Sequence, residues 1–147
     1  MQQDLTNKRI LAIDYGRKVT GVASYHFGSD PFPIIYGKII YKDDQQLKKE
    51  ILHIVEEEFI DILVIGVPFF TDGTESTLTK EIRAFIAELK NEASIPVFEE
   101  DETLTTFEAQ ERMKNDPAYN FKVDIKKIDE LCAVIILEQF LKNSQKN

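Results

Sequence analysis

Tryptophan is absent from this 147-residue chain, cysteine occurs once and histidine twice. The lone Cys132 excludes an internal disulfide and any multi-cysteine zinc site. His26 and His53 are too few for a histidine-rich metal site, and neither stands in a motif that assigns it chemistry. No uncharged apolar run approaches the roughly 18 residues that a membrane span requires. The opening stretch MQQDLTNKR lacks the apolar core of a signal peptide. Together these absences predict a soluble, cytoplasmic protein with no membrane partner. Positive charge is also scarce: 18 Lys and Arg against 26 Asp and Glu give a net charge of −8. That balance argues against a protein that coats nucleic acid through bulk charge. The distribution is more informative than the sum. Acids gather in VEEEF (55–59) and FEEDE (98–102), while bases sit at Arg17 and Lys18 and again at Lys122, Lys126 and Lys127.

What is present supports a folded core. The chain is 43% hydrophobic and long enough for one domain spanning residues 1–147. Arg9 to Asp14 reads as a strand buried on both faces. Val19 to Phe27 and Ile34 to Tyr41 read as two more strands, joined by connections short enough for antiparallel hairpins. A helix is expected from about Gln45 to Phe59, capped by Asp43 or Asp44, with Leu47, Ile51, Ile54 and Val55 at helical spacing. Ile60 to Val67 reads as a central strand, followed by the loop GVPFFTDGTES and a helix from about Glu75 to Glu92. Ile95 to Phe98 reads as a fifth strand. Thr105 and Glu108 have capping-box spacing for a helix to about Lys114. The last helix is expected to reach about Leu141, with Asp124 as its cap. This order predicts an α/β fold with a mixed five-stranded sheet, three antiparallel strands then two parallel ones, flanked by helices.

Asp14 follows the most hydrophobic strand directly, which is an unusual place for a carboxylate. Sites in sheets with parallel strands form beyond the carboxyl ends of those strands. Asp14 ends the first strand, Gly66 to Pro68 end the fourth, and Asp101 and Glu102 end the fifth. In the last helix, stepping from Asp129 by three, four, seven and eleven residues meets Cys132, Ala133, Ile136 and Phe140. Asp129 therefore lies on the apolar side, where an unpaired carboxylate is costly. Small Cys132 and Ala133 would let this helix approach the sheet closely. Carboxylates converging without histidine or cysteine suit Mg²⁺ or Mn²⁺. Two such ions about 4 Å apart are the usual arrangement for phosphodiester cleavage. Arg17, Lys18, Lys126 and Lys127 are candidates for holding flanking phosphates. Other readings stand beside these. Asp14 also suits a turn before Gly16, Glu102 a solvated loop with Asp101 competing for its role, and Asp129 a pair with Lys126 or Arg112. Asp72 reads as a turn residue, Cys132 as core, and Tyr15 as either packing or stacking on a base.

Four segments in order carry a resemblance that covers nearly the whole chain: DYGRKVTGVA, IGVPFFTDGTES, DETLTTFEA and KIDELCAVIILEQFL. They resemble the signatures of the YqgF family, also called RuvX, within the ribonuclease-H-like superfamily. The resemblance implies a ribonuclease-H-like fold with Asp14, Glu102 and Asp129 as an acidic triad. It implies a nuclease that processes the 5′ end of the precursor of 16S ribosomal RNA, and the family is also described as Holliday-junction resolvases. Two positions depart from the pattern. Thr103 stands where the family commonly has arginine, which removes a bidentate phosphate clamp, and Arg17 stands where threonine is frequent. Two other function classes are weighed against the nuclease: a nucleotide-binding relative of the actin-like ATPases and sugar kinases, and a module that binds nucleic acid or the transcription machinery without cleaving it. Structured RNA and branched DNA are both admissible partners, and so are a monomer and a homodimer.

Overall fold

Six residues, Arg9–Asp14, form β1, the strand on which the sheet is ordered. In the computed structural model, which describes residues 4–68 and 76–144, β1 is followed by β2 (Val19–His26), β3 (Ile34–Ile40), α1 (Asp44–Glu57) and β4 (Ile62–Val67). Then come α2 (Thr77–Glu92), β5 (Val97–Asp101), α3 (Thr105–Lys114), a 3₁₀ turn at Pro117–Tyr119 and α4 (Ile128–Ser144). The five strands lie in the order β3-β2-β1-β4-β5. The pairs β1–β2 and β2–β3 are antiparallel, and β1–β4 and β4–β5 are parallel. The expected mixed sheet is therefore present.

Successive side chains of a strand point to opposite faces, and here the alternation separates two cores. Leu11, Ile13 and Tyr15 of the first strand and its end join Leu63, Ile65 and Val67 of β4 beneath α1 and α2, where Leu47, Ile51, Phe85 and Leu89 are buried. Ile10 and Ala12 join Ile62 and Val64 against α3 and α4, where Ala109, Met113, Ile135 and Ile136 are buried. Asp14 continues the second series, so it is aimed at the α3–α4 face. Every residue of α4 from Leu131 to Leu137 is buried. A helix apolar on all sides is one enclosed by neighbours, and α4 lies between the sheet and α3. Truncating any one of its fully buried isoleucines to alanine would cost about 2–5 kcal/mol.

The helix reaches the sheet because Gly21 has no side chain. Gly21 is the register partner of Asp14 on β2. A Cβ there would collide with the Asp129 carbonyl group and crowd the Glu130 nitrogen at 2.9 Å. Closest approach thus occurs at Gly21, under the first turn of α4, ahead of Cys132 and Ala133.

Element boundaries differ from expectation in ways that have local causes. β5 runs on into the acids because it pairs with β4 from Leu63↔Val97 to Val67↔Asp101, and as an edge strand it leaves Glu99 and Asp101 exposed. The expected capping box of α3 does not form: the N-cap is Leu104, without a side-chain bond, and Thr105 is already helical. Its buried hydroxyl has no hydrogen-bond partner. Asp124 closes the turn before α4 by accepting from the Lys126 N–H at 3.0 Å, so it is a turn residue ahead of the helix. α2 begins at Thr77, capped by Ser76, whose hydroxyl accepts from the Thr79 N–H. α4 runs three residues past Leu141, to Ser144. The turn expected at Asp72 lies outside the described residues. No described helix is long and apolar enough to cross a membrane.

Gly21→Ala is expected to destabilise the fold by about 1–3 kcal/mol, because the added methyl meets backbone that cannot rotate away. Urea unfolding would measure this, and an unchanged midpoint would mean that α4 is not seated on β2.

Candidate active site

Each acid of the candidate site is held by a different element. Asp14 is fixed by the ladder at the carboxyl end of β1. Glu102 follows β5, with its N–H donating to the Val67 carbonyl at 3.0 Å and its own carbonyl accepting from the Thr105 N–H at 3.0 Å. Its backbone is thus pinned between β4 and α3. Asp129 lies in the first turn of α4, where an acid also complements the helix dipole.

A second missing side chain brings Glu102 inward. Gly66 follows, on β4, the residue paired with Ile13, so it flanks Asp14 on the side away from Gly21. A Cβ on Gly66 would stand 3.0 Å from the Glu102 carboxyl carbon and against Ile136. The Glu102 side chain therefore lies over Gly66, and its carboxyl hydrogen-bonds that of Asp14. Asp101 does not compete for this position. Its Oδ1 accepts from the Thr103 N–H at 3.0 Å and the Thr103 hydroxyl at 2.6 Å, in an exposed turn.

Crowding like charges raises their proton affinity. Burial, followed by the charge of Asp129, pushes Asp14 up to about 7, against the hydrogen bond it receives from Glu102. Burial, then the charge of Asp14, then that hydrogen bond push Glu102 up to about 10. Burial and mutual repulsion thus hold both carboxyls of the pair above the ordinary carboxylate range. Burial also raises Asp129, with the Lys38 ammonium opposing. The Cys132 thiol, pushed up to about 12 by burial and by the nearby acids, stays neutral and packs.

Asp14 and Glu102 touch, while Asp129 acts on them through its charge. Among the described residues, no three carboxylate, histidine or cysteine side chains close on a point that would hold a metal ion. The donor set nevertheless suits a hard divalent cation. It is all oxygen, its three residues are only half-buried and so reachable from solvent, and among the described residues no basic side chain opposes Asp14 or Glu102. Mg²⁺ commonly takes one or two carboxylates and completes its shell with water and substrate phosphate.

The basic candidates divide. The Arg17 guanidinium pairs with Glu81 of α2 at 2.5 Å, which draws it to the face opposite Asp14. Lys18, Lys126 and Lys127 are exposed, and the two latter sit just before α4. Tyr15 packs: its hydroxyl donates to Asp44 at 2.7 Å, and its ring lies 5.1 Å from that of Phe85. Arg112 does not pair with Asp129; it grips Glu138 through two N–H groups, at 2.6 and 3.2 Å. With Thr106 facing Cys132, that grip sets α3 and α4 side by side in the same direction. Sequence reasoning missed Lys38. It lies opposite Gly21 in the β2–β3 register, and its Nζ donates to the Lys126 carbonyl at 3.2 Å. Only the strand pairing reveals that proximity.

A mixed five-stranded sheet with acids at the carboxyl edge of its central strand defines the class, a ribonuclease-H-like fold of the kind found in Holliday-junction resolvases. The fold is similar to that of RuvC from Thermus thermophilus (TM-score 0.60, 10% identity, covering 93% of this chain and 97% of that one). It is also similar to that of the fowlpox virus resolvase solved with Holliday junction DNA (TM-score 0.59, 12% identity, 94% and 99% covered). Within this class the chain belongs to the RuvX family, whose model, described as Holliday junction resolvase, matches residues 8–143. It is 34% identical over 134 residues to a relative from Nitratidesulfovibrio vulgaris (strain DSM 19637 / Miyazaki F), covering 90% of this chain and 92% of the other. A relative from Lawsonia intracellularis (strain PHE/MN1-00) is 33% identical over 138 residues, covering 93% and 95%. Both carry the name "Putative pre-16S rRNA nuclease".

The raised carboxyls have a consequence for stability. The folded protein keeps protons that the unfolded chain releases near pH 4, so this site costs increasing stability as pH rises from about 4 through neutrality. Asp14→Asn is expected to be more stable than wild type in chelator, by a margin that widens between pH 5 and 8. Adding Mg²⁺ at pH 8 should stabilise wild type alone. Denaturant melts at several pH values check both, and a margin independent of pH would contradict the crowding.

Proposed function

We propose that this protein is a metal-dependent endonuclease that hydrolyses phosphodiester bonds, and that its substrate is the 5′ region of pre-16S rRNA during ribosome biogenesis in the cytoplasm. Asp14, Glu102 and Asp129 are its catalytic residues and the ligands of Mg²⁺ or Mn²⁺. The observation that carries this reading is the contact of the Asp14 and Glu102 carboxyls over Gly66, with Asp129 at the adjoining helix start, in a member of a nuclease family. The names of the relatives support RNA as the substrate.

A divalent ion at this site supplies activation of water and stabilisation of charge on the leaving oxygen. The protein's part is to present oxygen donors on rigid elements. Asp14 is held by a central strand and Asp129 by a helix start, while Glu102 reaches in from the end of an edge strand. Asp14 and Glu102 would hold the ion as deprotonated carboxylates, so affinity would rise with pH. Lys126 and Lys127, beside Asp129, meet the phosphates flanking the cleaved bond, and Lys18 lies beyond Asp14 on the β1–β2 turn. Arg17 joins them only by leaving Glu81.

The family description and the resolvase-like fold favour a second substrate, the four-way DNA junction, so the test runs both. Wild type and Asp14→Asn are incubated with a pre-16S rRNA fragment and with a four-way junction, in Mg²⁺ or Mn²⁺. Wild type is expected to cleave the RNA, and the variant to lose more than the 10–100-fold that an outer-shell change costs while remaining folded. Cleavage that persists in excess chelator, or in folded Asp14→Asn, would overturn the proposal. Cleavage of the junction alone would assign the DNA substrate instead.

A further inference from the structure

We propose that Lys38, on the edge strand β3, is a positioning residue that holds the start of α4, and with it Asp129, over the sheet beside Asp14. The inference rests on the metal-site reading above and extends it to a residue outside the acidic triad and its sequence motifs.

The geometry runs along one row of the sheet. Asp14 is paired with Gly21, and Gly21 with Lys38. Lys38 therefore stands two strand spacings from Asp14, about 10 Å at the backbone, on the same face. Between them, Gly21 has no side chain, and the first turn of α4 fills the gap with the Asp129 carbonyl. The Lys38 side chain rises on the far side of that turn and donates to the Lys126 carbonyl at 3.2 Å. Glycine beneath and lysine beside thus bracket the turn that carries Asp129.

The segment before α4 needs such a tie. Residues 120–127 contain no α-helix or strand, and Lys122, Ile125, Lys126 and Lys127 are exposed. Its internal bonds are short-range: Lys126 N–H to Asp124 at 3.0 Å, and Lys127 N–H to the Asp124 carbonyl at 3.1 Å. Asp124 also donates its N–H to the Met113 sulfur at 3.3 Å, which anchors it to α3. Among the described residues, the hydrogen bond from Lys38 is the one that ties this segment's end to the sheet. A ligand must sit within about 0.5 Å of its productive place, so freeing the turn loosens the third carboxylate.

Mn²⁺ binding separates this role from its rivals. Calorimetric titration and the Mn²⁺ electron paramagnetic resonance signal are followed on the full chain as wild type, Asp14→Asn, Lys38→Met and Lys38→Arg. Positioning predicts that Lys38→Met weakens Mn²⁺ binding about tenfold, that Lys38→Arg retains it, and that the metal-free thermal midpoint stays near that of wild type. A lysine that acted only as a repelling charge would give the opposite sign, tighter Mn²⁺ binding in Lys38→Met, and would overturn the proposal. Unchanged Mn²⁺ affinity with a raised KM for nucleic acid would assign Lys38 to phosphate binding and overturn it too. If wild type binds no Mn²⁺, or Asp14→Asn binds it equally, the metal-site reading itself fails, and that outcome is visible before Lys38 is considered.

Discussion

Two absent side chains, at Gly21 and Gly66, make the site possible. Asp14 occupies the strand between them, and on its face of the sheet each neighbouring position is vacant of Cβ. One gap admits the backbone of α4 at Asp129, and the other admits the carboxyl of Glu102. A methyl on either strand would push one of Asp14's two partners away from it. Neither glycine is there for a turn or a left-handed backbone. Both serve close approach, which is the second use of glycine. The apolar packing around them, Ile10 and Ala12 below Asp14 and Ile136 above Gly66, holds the approach in register.

That arrangement opposes stability locally. Three acids crowd a half-buried corner, and among the described residues no basic side chain lowers the proton affinity of Asp14 or Glu102. Such a site persists only where the surroundings over-determine it. Here they do: β1 is paired on both sides, α4 is buried along seven consecutive residues, and Arg112 clamps α3 to α4 beside it. The cost is offset by two cores that do not depend on the site. Local destabilisation of this kind is expected where function, not folding, selects the residues.

Much of this was legible in the sequence, and the limit has a physical form. Periodicity within a segment is visible in one dimension, so β1, α1 and the burial of α4 were readable from Ile10–Ile13, Leu47–Ile51 and Cys132–Phe140. Strand ends that share a crevice follow from topology, so Asp14 and Glu102 were readable as a pair. The choice of Glu102 over Asp101 was left open because it turns on alternation and a local turn, in which Thr103 ties Asp101 outward. What no periodicity reports is register across strands. Lys38 is one lysine in an apolar edge strand until the β2–β3 pairing sets it opposite Gly21. Gly66 was legible as a loop glycine, and its role as a seat for Glu102 was not. The Arg17–Glu81 pair was hidden for a similar reason: adjacency to Asp14 in sequence does not report the contact with α2 on the other face.

Net charge was the least informative quantity. The total of −8 is unevenly spent over the surface. Glu56, Glu57 and Glu58 end α1, and Glu88 and Glu92 of α2 share the buried Lys48, all on the side of the sheet away from Asp14. Three of the arginines are already engaged, Arg17 by Glu81, Arg83 by Glu99 and Arg112 by Glu138 and Glu108. Lys38, Lys126 and Lys127, by contrast, enter no ion pair among the described residues and gather where α4 meets the sheet. Exposed Glu56, Glu57, Glu88 and Glu92 thus lie on the α1–α2 side, and the start of α4 presents exposed Lys126 and Lys127 beside Asp129. At physiological salt the screening length is about 8 Å, so this local pattern outweighs the total near those lysines, and the net charge of −8 does not by itself exclude a phosphate backbone at the start of α4.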